Sequence, residues 1–296
     1  MSVKTKIKVA HSPDSDDAFM FYAIAKNKID LGTYEFEITS DEIQKLNQQA
    51  LEGSSEQDIF AVSFHAYAYL ADKYQILRPG ASMGGENYGP RVVVRDDFIK
   101  NDDGINKFDL SGLRIAVPGE LTSAYLCLQL YQKEKSVETF EPVFCSFDEV
   151  FDLLQSGKVD AALLIHESQL KYKEEKLSLL VDLGKWWYES NKLQMPLGCN
   201  VIRRSLGEKA VKEISDILQR SIVYGLENFE ETLEYARSFS NNGLSDEKAK
   251  EYINMYVNES TVSLSDDDIK SISLMLEKAY NSKLLNLDSK MSIDPI

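Results

Sequence analysis

The chain has few cysteines, no long apolar run and no basic patch, and each shortage removes a class of protein. Its three cysteines, Cys127, Cys145 and Cys199, are odd in number and far apart, so neither a disulfide framework nor a CxxC metal or redox pair is expected. No stretch approaches the roughly 18 apolar residues of a membrane-crossing helix. The first ten residues hold no apolar core of a secretory signal, which predicts a cytoplasmic protein with no membrane partner. Acidic residues outnumber basic ones, 48 to 33, for a net charge of −15. The lysines alternate with acids, as in Lys171-Tyr172-Lys173-Glu174-Glu175-Lys176. Such a surface repels phosphate backbones, and nucleic acid is not an expected partner. GxSxG, HExxH, GxGxxG and GxxxxGK[ST] are also missing, so serine hydrolases, zincins, Rossmann dehydrogenases and nucleotide triphosphatases lose their motif support.

What is present suffices for large cores. Of 296 residues, 43% are hydrophobic, with 15 Tyr and 13 Phe, enough for about two domains of ordinary size. The first two thirds read as strands alternating with helices, and the last third as about four helices. Strands are expected at 7–10, 34–39, 58–62, 91–95, 113–117, 159–165 and 200–203. Helices are expected at 17–28, from caps Ser40 and Asp41 to Leu51, at 122–132, and after the capping box Ser146-Phe147-Asp148-Glu149. A polar stretch over 96–111 separates two similar units. In each, a helix ends at glycine (Gly53, Gly157), an acid opens a buried strand (Asp58, Asp160), and a histidine follows it (His65, His166). Ligands of open α/β sheets collect at the carboxyl ends of strands. The pattern therefore predicts a two-lobed α/β protein with its site between the lobes. One lobe takes 1–95 plus 200–296 and the other 96–199.

Within that frame His166, delivered by five apolar residues to a strand end, is the candidate general base. A histidine satisfied by backbone groups is the plainer alternative. His65 carries a weaker version of the same case, with aromatic neighbours that favour a structural role. The loop His11-Ser12-Pro13-Asp14-Ser15-Asp16-Asp17 lacks the glycine and distal glutamate of a calcium loop, and the histidines lack zinc spacing, so no metal is expected. Capping by Ser15 or Asp16 is the expected role of those polar groups, with Ser12 and Asp14 as candidate substrate contacts. The turn Pro118-Gly119-Glu120-Leu121-Thr122-Ser123 has the makings of an anion cradle, with a plain helix cap as the alternative. The segment 83–89 is glycine-rich and reads as a rim or lid. Trp186 and Trp187 read as packing more readily than as a stacking platform.

Taken together in order, several of these stretches resemble one family across nearly the whole chain. They are His11-Ser12-Pro13 with Asp17-Ala18-Phe19-Met20, Val117-Pro118-Gly119 with Thr122-Ser123-Ala124-Tyr125, Ile165-His166-Glu167-Ser168, Val181-Asp182-Leu183-Gly184-Lys185-Trp186-Trp187 and Pro196-Leu197-Gly198. The pattern resembles the 1,4-dihydroxy-6-naphthoate synthase family of the futalosine route to menaquinone. That resemblance implies the fold of type II periplasmic solute-binding proteins with a C-terminal helical segment. It also implies a cofactor-independent lyase that splits cyclic dehypoxanthinyl futalosine into 1,4-dihydroxy-6-naphthoate and dihydroxyacetone. The family's base falls on His166, and its substrate contacts fall on Val62, Ser63, Thr122 and Ser123. Where some members read Ser-Pro-Cys-Pro-Asn-Asp, this chain has Ser12-Pro13-Asp14-Ser15-Asp16-Asp17, so a paralogue with a related substrate is one alternative. A non-catalytic receptor of a transporter with the same fold is another. A small-molecule substrate is the expected partner, and a homodimer is left open.

Overall fold

The computed structural model describes residues 4–53, 56–86, 88–100, 110–135, 139–239, 245–289 and 292–296. Its first stretch runs β1 (Thr5–His11), α1 (Ser15–Ala25), β2 (Tyr34–Ser40), α2 (Ile43–Glu52), β3 (Ile59–Ser63), α3 (Phe64–Tyr67), β4 (Tyr74–Ile76) and β5 (Ser82–Gly84). The middle stretch runs β6 (Arg91–Arg95), α4 (Asp96–Lys100), β7 (Arg114–Val117), α5 (Ser123–Lys135), β8 (Glu141–Phe144), α6 (Val150–Gln155), β9 (Ala161–Leu164), β10 (Leu177–Asp182) and α7 (Leu183–Asn191). Strand β11 (Met195–Arg203) then leads into α8 (Glu208–Glu227), α9 (Phe229–Arg237), α10 (Asp246–Tyr256), α11 (Glu259–Val262) and α12 (Asp266–Asn281).

The strands form two sheets, ordered β2-β1-β3-β11-β4, with β5 also on β11, and β10-β6-β9-β7-β8. In each, three parallel strands joined through helices meet one antiparallel strand, β11 beside β3 and β6 beside β9. The three valines of β6 are fully buried and pair with β9 and β10, so residues 91–95 belong to the second sheet rather than the first. Likewise β11 enters the first sheet at Met195, ahead of residue 200. Sheet membership thus puts both crossings a few residues earlier than the change in composition suggests. Of the polar stretch at 96–111, residues 101–109 lie outside the described residues.

The internal likeness is physical. Gly53 and Gly157 both end their helices in the left-handed region, at φ 64° and 73°, where glycine carries no Cβ penalty. Asp58 then gives its N–H to Lys8 O at 2.8 Å and accepts Lys8 N–H on its carboxylate at 3.0 Å. Asp160 does the same with Arg114, at 2.8 and 2.9 Å. Each acid therefore pins the start of its strand to the neighbouring parallel strand.

Helix α1 packs against α8, α9 and α10, so the C-terminal helices bury the outer face of the first lobe. The chain end finishes that lobe. Ile296 gives its N–H to Ile76 O at 2.9 Å and accepts from Arg78 N at 2.7 Å, covering an edge strand that would otherwise expose unpaired groups. Trp187 is buried with its indole N–H on Ser271 Oγ at 3.2 Å, and Trp186 donates to Glu134 at 3.0 Å; both pack the molecule.

Several local expectations need correction. Helix α1 starts at Ser15 with Asp14 at its N-cap and no side-chain cap bond, so neither Ser15 nor Asp16 caps it. Ser40 ends β2, and Asp41 turns its carboxylate to the N–H of Glu42, so α2 starts only at Ile43. The described residues after Gly207 form five helices rather than four. The segment 83–89 is pinned among its described residues (Asn87 lies outside them). Gly89 packs so closely on Gly184 that a Cβ there would sit 2.7 Å from the Gly184 Cα, which is a tight strand crossing rather than a loose lid.

Candidate active site

The carboxyl ends of β1 and β3 in one lobe face those of β7 and β9 in the other across a cavity of about 660 Å³. That volume suits a small organic ligand. Ser12, Val62, Ser63, Thr122, Ser123 and His166 all line it, coming from four separate loops. Asp14 does not line it, and instead faces a smaller neighbouring cavity of about 330 Å³ that shares His166.

His166 sits directly after β9 and opens a short 3-10 turn, with φ 51° in the left-handed region. Such a backbone is costly for a residue with a Cβ, and it persists where surrounding contacts hold it. Those contacts come from both lobes. The Nδ1 atom lies 3.0 Å from the Asp14 carboxylate, and Phe147 meets the ring edge-on at 5.6 Å. The side chain keeps 23% exposure toward the cavity. Burial holds its pKa below the ordinary 6.5, against the opposing pull of Asp16, Glu167 and Asp17, so the imidazole is neutral at pH 7 and able to accept a proton.

The acids around it are crowded. Asp14, Asp16, Asp17 and Glu167 are all buried. Burial, followed by repulsion from Glu167 and Asp17, pushes Asp14 up to about 8 despite a short bond from Ser12 Oγ at 2.6 Å. Burial beside Asp17 and Asp14 raises Asp16 well above the usual carboxylate range. Asp17 accepts the Ser12 N–H at 2.9 Å, Tyr252 donates to Asp16 at 3.2 Å, and Ser15 donates to Glu167 at 2.7 Å. The Ser15–Glu167 and Asp14–His166 contacts each join one lobe to the other.

On the opposite wall the hydroxyl pair divides its work. Thr122 Oγ1 donates to Gly119 O at 2.9 Å and accepts Tyr125 N–H at 3.2 Å, which makes it the cap of α5. Ser123 Oγ is buried and has no hydrogen-bond partner among the described residues. A buried hydroxyl left unpaired costs free energy unless a ligand satisfies it. Ser123 also begins a 13-residue helix, whose first N–H groups favour an anion.

Ser63 is held by Asn47, which accepts its N–H at 2.9 Å and donates to its hydroxyl at 3.1 Å. Asn47 and Gln44 on α2 also reach the other lobe, bonding Leu121 O at 3.4 Å and Leu121 N at 3.0 Å. Gly119, at φ 140°, has no room for a Cβ, which would fall 2.4 Å from Gln44 Oε1. His65 does not line the cavity. It is buried with Nδ1 unpartnered among the described residues, and burial drives its pKa down to about 4. His11 is buried too, stacked on Phe21 at 5.2 Å.

Sequence reasoning missed the cavity roles of Asp16, Gln169 and Tyr256. Asp16 carried a signal but was read as a helix cap. Tyr256 ends a helix more than 80 residues beyond the motifs and meets the Gln169 amide at 2.8 Å, a contact that no local pattern announces. No group of three or more His, Cys, Asp or Glu among the described residues is arranged to hold a metal ion, and no described helix is long and apolar enough to cross a membrane.

Comparison with known proteins narrows the chemistry. A sequence profile described as menaquinone biosynthesis matches residues 7–281. A 1,4-dihydroxy-6-naphthoate synthase from Thermus thermophilus is 33% identical over 273 residues, covering 92% of this chain and 93% of that protein. Another from Streptomyces coelicolor is 31% identical over 280 residues, 94% of each. A crystal structure from Archaeoglobus fulgidus superposes with a TM-score of 0.84 at 41% identity, over 95% of this chain and 98% of that one. The alkanesulfonate-binding protein SsuA from Xanthomonas axonopodis, bound to MOPS, superposes with a TM-score of 0.72 over 98% and 97% at 11% identity, which shows a shared periplasmic-binding-protein-like fold.

Proposed function

The chain belongs to the menaquinone biosynthesis family, and from that premise we propose that it is a carbon–carbon lyase converting cyclic dehypoxanthinyl futalosine into 1,4-dihydroxy-6-naphthoate and dihydroxyacetone in the cytoplasm. The observation that carries this reading is the His166–Asp14 pair reaching across the lobes, 3.0 Å apart, beside a cavity whose far wall holds the unpaired Ser123 hydroxyl.

The residues supply what such a cleavage needs. With Asp14 on Nδ1, the Nε2 atom of His166 is left as the proton acceptor for a substrate hydroxyl. Loss of that proton lets the carbon–carbon bond break in retro-aldol fashion, and aromatisation of the remaining rings drives the step. Ser123 and the first N–H groups of α5 hold the aromatic carboxylate. Val62 and Ser63, steadied by Asn47, form the floor under the rings. The cross-lobe contacts hold a closed state that excludes water and fixes the reacting groups.

A transport receptor of the same fold needs no base held by a carboxylate, and fold alone does not decide between the two. The test is direct. Purified protein incubated with cyclic dehypoxanthinyl futalosine should release naphthoate and dihydroxyacetone, read by mass spectrometry. Tight binding of the intermediate without conversion would instead support the receptor.

A further inference from the structure

We propose that Asp16 is the proton donor of the cleavage, the acid partner to the base at His166. The proposal rests on the lyase reading above, and it starts from a group that reading leaves unused. Asp16 is 6% exposed, lines the same cavity as His166, and uses one carboxyl oxygen to accept from Tyr252 at 3.2 Å. Its other oxygen has no hydrogen-bond partner among the described residues.

The surroundings favour the neutral acid. Asp14 and Asp17 flank it on its own segment, Glu167 approaches from the turn after β9, and Tyr252 and Tyr256 cover it from α10. Only His166 among the groups acting on it pulls the other way. Burial and like charge both penalise ionisation, so the carboxyl holds its proton at neutral pH. A neutral carboxyl with its carbonyl oxygen on Tyr252 is left with an O–H to offer the cavity. Buried acids kept neutral in this way serve as donors in other enzymes.

The chemistry requires such a donor. In a retro-aldol cleavage, His166 takes the hydroxyl proton and the oxygen's electron pair forms a new carbonyl. The breaking carbon–carbon pair passes into the ring and onto the ring carbonyl oxygen, which becomes a naphthol hydroxyl once protonated. Asp16 supplies that proton. The step leaves His166 protonated and Asp16 ionised, no electrons are gained or lost overall, and transfer of one proton between them restores the starting state.

Asp16→Asn tests this, since it keeps shape and a donor edge but cannot give up a proton. We expect kcat to fall by at least ~10²-fold, the lower bound for a positioned acid, with KM and the affinity for a naphthoate product nearly unchanged. The wild-type rate should decline at alkaline pH as Asp16 ionises, and the residual rate of the variant should lack that decline. A difference infrared spectrum of wild type against variant at neutral pH should show the band of a protonated carboxyl. Tyr252→Phe, which leaves the carboxyl in place, covers the case of a variant that fails to fold. It removes a donor that favours the ionised form, so the alkaline limb should move to higher pH. An active wild type alongside an equally active Asp16→Asn, an alkaline limb unmoved in Tyr252→Phe, or a missing carboxyl band overturns the proton donor alone. A wild type that releases no naphthoate overturns the lyase reading itself.

Discussion

The ends of β3 and β9 began as the same structure and now do different work. Each follows a helix closed by a left-handed glycine and a strand pinned by an aspartate. Counted from those aspartates, however, His166 matches Phe64, and His65 matches Glu167. The one-residue offset puts His65 in α3, in the apolar interior, while His166 stays at the cavity. The charge environments diverge accordingly. Burial acts almost alone on His65 and drives it to about 4, whereas three carboxylates partly offset burial at His166. Two histidines that look alike in sequence are thus a core residue and a candidate base. Their difference comes from register, not from residue type.

Exchanging each histidine for asparagine should produce the largest effect and could break this comparison. His166→Asn should lower turnover of the futalosine intermediate by ~10²-fold or more, since it removes the proton acceptor and little else. His65→Asn should act mainly on stability, with turnover changed by less than about tenfold. In the wild type the acidic limb of the rate profile should lie below the ordinary histidine value of 6.5, because burial favours the neutral ring. Equal losses in the two variants would show that the register argument is wrong.

That comparison also marks what the sequence could tell. The two lobes, the strand–helix alternation and the glycine–aspartate pattern were readable because each rests on contacts within about ten residues. His166, Val62, Ser63, Thr122, Ser123 and Ser12 were found, and they do line one cavity. Asp14 was expected to touch substrate, and its geometry instead puts it on His166. Which carboxylate meets the histidine depends on how 152 residues fold between the two, as the Ser15–Glu167 bond beside it shows. The crossing strands were misplaced because valine-rich β6 could equally end one lobe or begin the next. Only its pairing with β9 and β10 decides.

A middle-sized effect should separate the two hydroxyls that the sequence presented as a pair. Ser123→Ala removes the unpartnered donor, and a hydrogen bond to a charged group is worth roughly 1.5–3 kcal/mol. Affinity for a naphthoate product should therefore drop about tenfold or more. Thr122→Ala removes a helix cap instead and should cost roughly 0.5–2 kcal/mol of stability, with a smaller change in affinity. Thermal melts and product titrations on both variants check this. The reverse pattern would make Thr122 the anchor and Ser123 a packing residue.

The two lobes can also be compared through pH. Asp14 has a folded pKa of about 8 against an ordinary value of 3.8, so between those limits the folded state holds the extra proton. Its contribution to stability is full below the lower value and is lost as pH rises through about 8. Asp14→Asn cannot ionise, so its melting temperature should gain on the wild type between about pH 5 and pH 8, while turnover falls with the loss of the carboxylate on His166. A melting difference that stays flat over that range would mean Asp14 is already ionised in the folded protein.

The smallest expected effect lies in the same acidic loop, and it is no effect at all. Four buried carboxylates close together would ordinarily suggest a divalent cation. Here each meets a protein hydrogen-bonding group: Asp14 the Ser12 hydroxyl and the His166 ring, Asp16 the Tyr252 hydroxyl, Asp17 the Ser12 N–H, and Glu167 the Ser15 hydroxyl. A cation would have to displace several of these contacts, including both that join the lobes at the base. The raised values at Asp14 and Asp16 add a further cost, because ligation requires the ionised forms. Prolonged treatment with a chelator should leave both turnover and melting temperature unchanged. A loss of turnover restored by a divalent ion would turn the loop from a proton-holding cluster into a ligand set, and the contrast between the two histidines would then have to be argued from the metal.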